Sequence, residues 1–277
     1  MCGIFGYYLK DTKINESLKK NSIKCLSLLN HRGPDNHDFW INEQNNFFLG
    51  HTRLSILDTS SNANQPLVNK QKALSYNGEI YNYKELKGEL EKDFTFSSTS
   101  DTEVLFNFLL KNKINKIEKL DGMFAFAYYD EGELYLCNDM FGEKPIYYLQ
   151  NEKGFFFSSE INCLKNFLNT KKDSSISKKN KFMMFGFLRE DTFFKKIKYF
   201  GPATIIKIYK GEIKQKIQYW NYDQFLTSKD KKKIIEKKDI KEIKNLLVTS
   251  CEMKLNSDQP ISLLLSSGID STLLASI

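Results

Sequence analysis

Short runs of apolar residues, often alternating with polar ones, dominate the first 220 positions of the chain. Residues 2–9 are almost wholly apolar and read as a strand. Leu18, Ile23, Cys25, Leu26 and Leu29 recur at helical spacing, so residues 16–30 read as a helix. A loop at His31-Arg32-Gly33-Pro34-Asp35 ends it, because Gly-Pro enforces a turn. Residues 47–57 read as a strand or strand pair broken at Gly50. Residues 73–76 form a further strand running into Asn77-Gly78-Glu79, where Asn-Gly signals a hairpin turn. Residues 97–103 lead into a helix with Val104, Leu105, Phe108 and Leu109 on its apolar side. Ser100 and Glu103 match a capping box, which leaves Asp101 between them unexplained.

From Met123 the pattern is strand-rich. Phe124, Phe126 and Tyr128 alternate with Ala125, Ala127 and Tyr129, and a turn at Glu131-Gly132 leads into residues 134–138. Strands are expected at 146–149 and 155–158, a helix at 160–168, an exposed loop at 169–181, and a hairpin at 203–208 and 212–219 around Lys210-Gly211. Antiparallel strands with few helices between them give an α+β layered domain over residues 1–222.

The composition then changes. Residues 223–238 form a charged linker, and residues 239–277 begin a second unit. Ile240, Ile243, Leu247 and Cys251 share one helical face. Residues 261–265 form a short apolar strand of the kind buried in a parallel sheet. Ser266-Ser267-Gly268-Ile269-Asp270-Ser271-Thr272 follows, with a helix behind it. A hydroxyl- and glycine-rich turn between strand and helix presents backbone amides to an anion. It is not a Walker loop, because the Gly-Lys-Ser/Thr ending is missing.

Composition narrows the chemistry. The chain of 277 residues is 41% hydrophobic and 14% aromatic, enough for a substantial core. No apolar run approaches the roughly 20 residues of a membrane span, and no basic-then-apolar leader is visible. Five scattered cysteines without a CxxC pair fit reduced thiols in a cytoplasm, and three histidines without ligand spacing argue against a metal site. The formal charge is +7, and residues 229–244 hold eight lysines against four acids. Without interleaved aromatics this reads as a solvated face with pairs such as Lys232–Glu236 and Lys238–Glu242, not a nucleic-acid contact.

The candidate nucleophile is Cys2. Once Met1 is removed, its thiol and α-amine share one carbon skeleton, and an amine of ordinary pKa about 8 is a ready base for a thiol near 8.5. A free N-terminal amine is a known activator for nucleophiles of this kind. The competing reading is a small buried residue without chemistry.

Taken together, several motifs resemble the glutamine-hydrolysing asparagine synthetases and, more broadly, class II glutamine amidotransferases with an N-terminal nucleophile. They are the N-terminal Cys-Gly-Ile, His31 to Asp35, Arg53 to Ile56, Asn77 to Glu79, Ser100 to Glu103, Phe141-Gly142 with Lys144-Pro145, and Ser158-Ser159-Glu160-Ile161. The turn at 266–271 is similar to the Ser-Gly-Gly-x-Asp-Ser pyrophosphate loop of that family. Ser267 replaces a family glycine, and Asn138 and Met140 stand where the family usually has arginine. The resemblance implies a four-layer αββα sandwich, followed by the first helix, strand and loop of an α/β pyrophosphate-loop ATPase domain cut off early. It assigns Cys2 as nucleophile and Asn77 with Gly78 as oxyanion donors. Glutamine would meet Arg53, Leu54, Ile56, Asn77, Gly78, Glu79 and Asp101, with Arg53 clamping the carboxylate bidentately and Asp101 taking the ammonium. ATP would meet Leu265, Ser266, Gly268, Asp270 and Ser271, with Mg²⁺ on its phosphates, no protein metal ligands, and aspartate as acceptor. Glutamine hydrolysis would need no cofactor. The resemblance leaves room for a homodimer and gives no role to nucleic acid or membrane. One helix, one strand and one loop after the linker are too little for an independent synthetase core, so asparagine synthesis by these residues alone is not expected. Two alternatives stay open: a related amidotransferase acting on another carboxylate or acyl acceptor, and a non-catalytic remnant or regulatory module.

Overall fold

The computed structural model describes residues 1–172, 175–188, 190–225 and 236–277. The expected pair Lys232–Glu236 and most of the charged linker lie outside the described residues; Lys238 meets Glu236 at 2.9 Å instead of Glu242.

Two facing sheets carry the fold. One is built from β1 (Gly3–Leu9), β2 (Asn36–Asn42), β3 (Phe47–Arg53), β8 (Tyr147–Asn151), β9 (Gly154–Ser158) and β10 (Lys198–Tyr199), in the order β10-β8-β9-β1-β3-β2. The other holds β4 (Leu67–Asn69), β5 (Lys72–Ile80), β6 (Gly122–Asp130), β7 (Glu133–Asn138), β11 (Thr204–Tyr209) and β12 (Glu212–Gln218), in the order β12-β11-β7-β6-β5-β4. Among the described residues every strand pairing is antiparallel, as in β1 with β3 and β5 with β6.

The period-2 pattern decides what each face meets. Ala125, Ala127 and Tyr129 of β6 pack with Ile4 and Tyr8 of β1 between the sheets. Phe124, Phe126 and Tyr128 point the other way, onto α2 (Tyr83–Leu90) and α3 (Asp101–Asn112). On the far side, Phe5, Tyr7 and Leu9 pack on α1 (Glu16–Ser27) and α4 (Ile161–Leu168). The result is the expected helix–sheet–sheet–helix sandwich. Small alanines on the β6 inner face let the sheets close, while the large aromatics fill the helix layers.

Several expectations are corrected. Asn77-Gly78 makes no turn: β5 continues through it, with Asn77 opposite Ala125 and Gly78 opposite Phe124. Pairing with a long neighbouring strand overrides the local turn preference. β3 likewise runs unbroken through Gly50. The capping box does not close. Ser100 Oγ accepts from the Thr102 N–H at 3.1 Å, but Glu103 reaches past the cap to the N–H groups of Ser97 and Ser98. Part of the expected loop at 169–181 belongs to α5 (Ile176–Phe185), and α2 and β2 were not anticipated.

After α6 (Lys237–Lys254), residues 261–265 form no strand; Leu264 is 92% exposed. A strand of this apolar kind needs neighbours to pair with, and none of the described strands reaches it. The turn at 266–268 leads into α7 (Ile269–Ser276), and neither α6 nor α7 buries a side chain.

Candidate active site

Cys2 stands just ahead of β1, and three contacts fix the backbone around it. Arg32 Nε donates to the Cys2 carbonyl at 2.9 Å, Ile4 N donates to Ser159 Oγ at 2.9 Å, and Ser159 N returns to the Ile4 carbonyl at 2.8 Å. Arg32 is itself held by Glu160 at 3.3 Å, and Glu160 also meets His31 at 2.8 Å. Gly33 lets this loop press on β3, since a Cβ there would stand 2.4 Å from the Thr52 carbonyl. Asp35 accepts from the Ser55 N–H at 2.7 Å. The loop at 31–35 and the Ser158–Glu160 turn therefore act as a bracket for Cys2, a role the sequence did not disclose.

The Cys2 thiol is half-buried beside Leu54, whose N–H lies 3.4 Å from Sγ. Burial pushes the thiol up from its ordinary value, and the Leu54 N–H opposes this. The α-amine of Met1, in the same neighbourhood, is pushed down by burial, with Arg32 and Lys144 adding to the effect against Cys2.

One cavity opens onto this thiol, and Arg53, Leu54, Ile56, Asn77, Gly78, Glu79 and Asp101 all line it. The seven residues expected to meet glutamine thus converge from β3 and its following loop, β5, and the start of α3. Asn77 is 1% exposed, yet its Nδ2 has no hydrogen-bond partner. A buried amide donor is rarely left without an acceptor. Gly78 is required by the sheet: a Cβ would lie 2.2 Å from the Met123 carbonyl oxygen and 2.6 Å from Phe124 Cα.

Asp101 is the first residue of α3 and is buried. Its Oδ2 accepts from the Tyr76 hydroxyl at 2.7 Å and the Ile80 N–H at 3.0 Å, while Oδ1 has a 3.5 Å contact from Ser100. Burial raises the carboxyl above its ordinary value, against the pull of these donors. Glu79 is raised too, by burial and then by Asp101, with Lys144 drawing it down. Tyr76 is fixed in turn by Gln65, whose Oε1 accepts its N–H at 2.7 Å. Tyr76, Gln65 and Lys144 received no role from the sequence, and nothing in their local pattern sets them apart.

Arg53 differs from the expectation of an open fork. Nη1 donates to the Ser60 carbonyl and Asn64 Oδ1, both at 2.7 Å, and Nη2 to the carbonyls of Leu57 and Asp58. Both Nη groups are occupied, so the guanidinium offers the cavity its fixed charge, not a free bidentate pair. Asn138 departs from the family pattern without reaching the cavity. Its Nδ2 meets the Phe200 carbonyl at 3.4 Å and its own carbonyl takes the Tyr219 hydroxyl at 2.7 Å.

The second candidate site is open. Leu265, Ser266, Gly268 and Asp270 are exposed; Ser266 and Ser271 hydroxyls lie 3.1 Å apart, and Ser271 Oγ meets the Gly268 carbonyl at 3.1 Å. Ser267 has φ 59°, the left-handed region that favours the glycine it replaces. Among the described residues no His/Cys/Asp/Glu group could hold a metal ion, and no helix is long and apolar enough to cross a membrane.

Residues 1–220 match the glutamine amidotransferase domain family, and residues 242–277 match the asparagine synthase family. A glutamine-hydrolysing asparagine synthetase of Bacillus subtilis is 34% identical over 290 residues, covering 100% of this chain and 44% of the relative. Asparagine synthetase B of Escherichia coli is 32% identical over 282 residues, covering 100% of this chain and 44% of the relative. The chain thus spans less than half the length of these relatives. Among solved structures, the glutamine phosphoribosylpyrophosphate amidotransferase of B. subtilis aligns with a TM-score of 0.57 and 18% identity over 79% of this chain and 49% of that one, a likeness of fold. With a match over residues 1–220 that runs across the two-sheet frame and takes in the bracketed cysteine, the chain belongs to the glutamine amidotransferase domain family.

Proposed function

We propose that residues 1–222 hydrolyse glutamine to glutamate and ammonia with Cys2 as nucleophile. The observation that carries this is the unpartnered Asn77 Nδ2 in the same cavity as the Cys2 thiol. Removal of Met1 frees the Cys2 amine. The burial that lowers the Met1 amine, with Arg32 and Lys144 nearby, would act on its successor in the same direction and favour the neutral form that can serve as a base.

The Cys2 thiol gives its proton to that amine, and sulfur forms a bond to the side-chain amide carbon of glutamine. The carbonyl π electrons move to oxygen, and the oxyanion takes hydrogen bonds from Asn77 Nδ2 and the Gly78 N–H. The C–N bond breaks as the ammonium proton passes to the leaving nitrogen, releasing ammonia and a thioester. Water adds to the thioester, and glutamate leaves with the thiol restored. Arg53 places positive charge toward the α-carboxylate, with backbone of Leu54 and Ile56 beside it. Asp101, with Glu79, holds the α-ammonium.

Residues 223–238 link this unit to residues 239–277, which we take as the start of a synthetase unit. The match at 242–277 favours aspartate as the acceptor of the ammonia, activated by ATP with Mg²⁺, over another acyl acceptor. The turn at 265–271 has backbone amides at a helix start and the hydroxyls of Ser266 and Ser271 beside them, the donor set of a phosphate cradle. Five free cysteines suit a cytoplasmic location. The test is glutamate formation by the wild-type chain and by Cys2→Ala. Turnover in the first and none in the second is expected, and equal rates would exclude Cys2 as nucleophile.

A further inference from the structure

The loop that holds Arg53 is tied to residues far along the chain. Its Leu57, Asp58 and Ser60 carbonyls take the Arg53 Nη groups. Asp58 sits at its centre with φ 52°, a left-handed conformation that a non-glycine residue keeps only when its surroundings impose it. The Asp58 carboxylate accepts from Ser60 N at 3.0 Å and Thr99 N at 2.8 Å. Thr99 directly precedes Ser100 and Asp101, the cap and first residue of α3. Asp58 thus joins the two charges of the glutamine site.

A further anchor of this loop comes from beyond α6. Asp58 N donates to Asp258 Oδ2 at 2.7 Å, and Asp258 N donates to the Ile56 carbonyl at 3.0 Å. The same segment is held down by Lys84 on Asn256 at 2.7 Å and by Lys254 over the Tyr81 ring at 4.4 Å. We propose that Asp258, within the segment matched to the asparagine synthase family, is a positioning residue for glutamine: it bridges Ile56 and Asp58 and so fixes the loop that presents Arg53. This rests on the glutaminase reading above.

Asp258 is exposed, so substitution there leaves the core untouched. In Asp258→Ala the KM for glutamine should rise about three- to tenfold, the worth of one intramolecular hydrogen bond, with kcat within about twofold. Asp258→Asn keeps an oxygen acceptor and should restore most of the lost affinity. Hydrogen exchange should quicken at amides 56–60 in the alanine variant and stay unchanged along β3. A wild-type chain without glutaminase activity would overturn the underlying reading. An active wild type with the same KM and the same loop exchange in Asp258→Ala would overturn this inference alone, as would a fall in kcat with KM unchanged.

Discussion

Asn77→Ala separates catalysis from folding. In the resting protein the Asn77 Nδ2 has no partner, so its removal breaks no hydrogen bond there. The space vacated adjoins the cavity that Asn77 already lines, which water can fill. The stability loss should therefore stay near or below about 1 kcal/mol. The transition state is affected differently. One oxyanion donor is worth about 10²–10³ in kcat, or roughly 2.7–4 kcal/mol, because the charge it meets develops only during reaction. Initial rates of glutamate formation across a range of glutamine concentrations give kcat and KM, and urea unfolding of the same preparation gives stability. The expected result is a kcat lowered by at least about a hundredfold, KM within about threefold, and a nearly unchanged unfolding midpoint. A kcat within about fivefold of wild type, or a rise in KM in place of the fall in kcat, would refute the oxyanion role.

Three further outcomes follow from the same geometry. Asp101 must be ionised to hold an ammonium, and burial raises its carboxyl above the ordinary range, so KM for glutamine should climb on acidification earlier than an ordinary aspartate of about 3.9 would allow; a flat KM profile in the wild type would contradict this. His51 is fully buried, with Nε2 3.0 Å from the Tyr76 carbonyl, and its pKa is pushed down to about 3. The unfolded chain then binds a proton below about 6.5 that the folded chain refuses, so stability falls with pH across that window, by about 2 kcal/mol between about pH 7 and 5; a His51→Gln variant with the same pH slope in urea unfolding would disprove it. Gly78→Ala forces a Cβ to 2.2 Å from the Met123 oxygen and should lower stability by at least about 2 kcal/mol; an unaltered melting temperature would show that β5 and β6 can part without loss.

Much of the sandwich was legible because its signals are local. The alternation of Phe124, Phe126 and Tyr128 with Ala125, Ala127 and Tyr129 states both faces of β6. Cys2 stands out in the sequence by its place at the chain start, and the structure sets it on the cavity. What failed were features decided by partners outside the local pattern. Asn77-Gly78 has the composition of a turn, but pairing with β6 along the whole of β5 makes it strand. Glu103 has the spacing of a capping box, but Ser97 and Ser98 compete for its carboxylate and win. The apolar run at 261–265 was read as a buried strand from its residue types alone, and without a neighbour it stays exposed coil. Arg32, Gln65 and Asp258 act through long-range hydrogen bonds, which no periodicity encodes.

The central claim is a cysteine made N-terminal and nucleophilic. The most direct measurement is intact-mass and peptide-level mass spectrometry of the active chain after inactivation by an electrophilic glutamine analogue. A single adduct on a Cys2 that has lost Met1 is the expected result, with loss of activity in step with labelling. An adduct on Cys25, Cys137, Cys163 or Cys251, or full activity in a chain that keeps Met1, would contradict it.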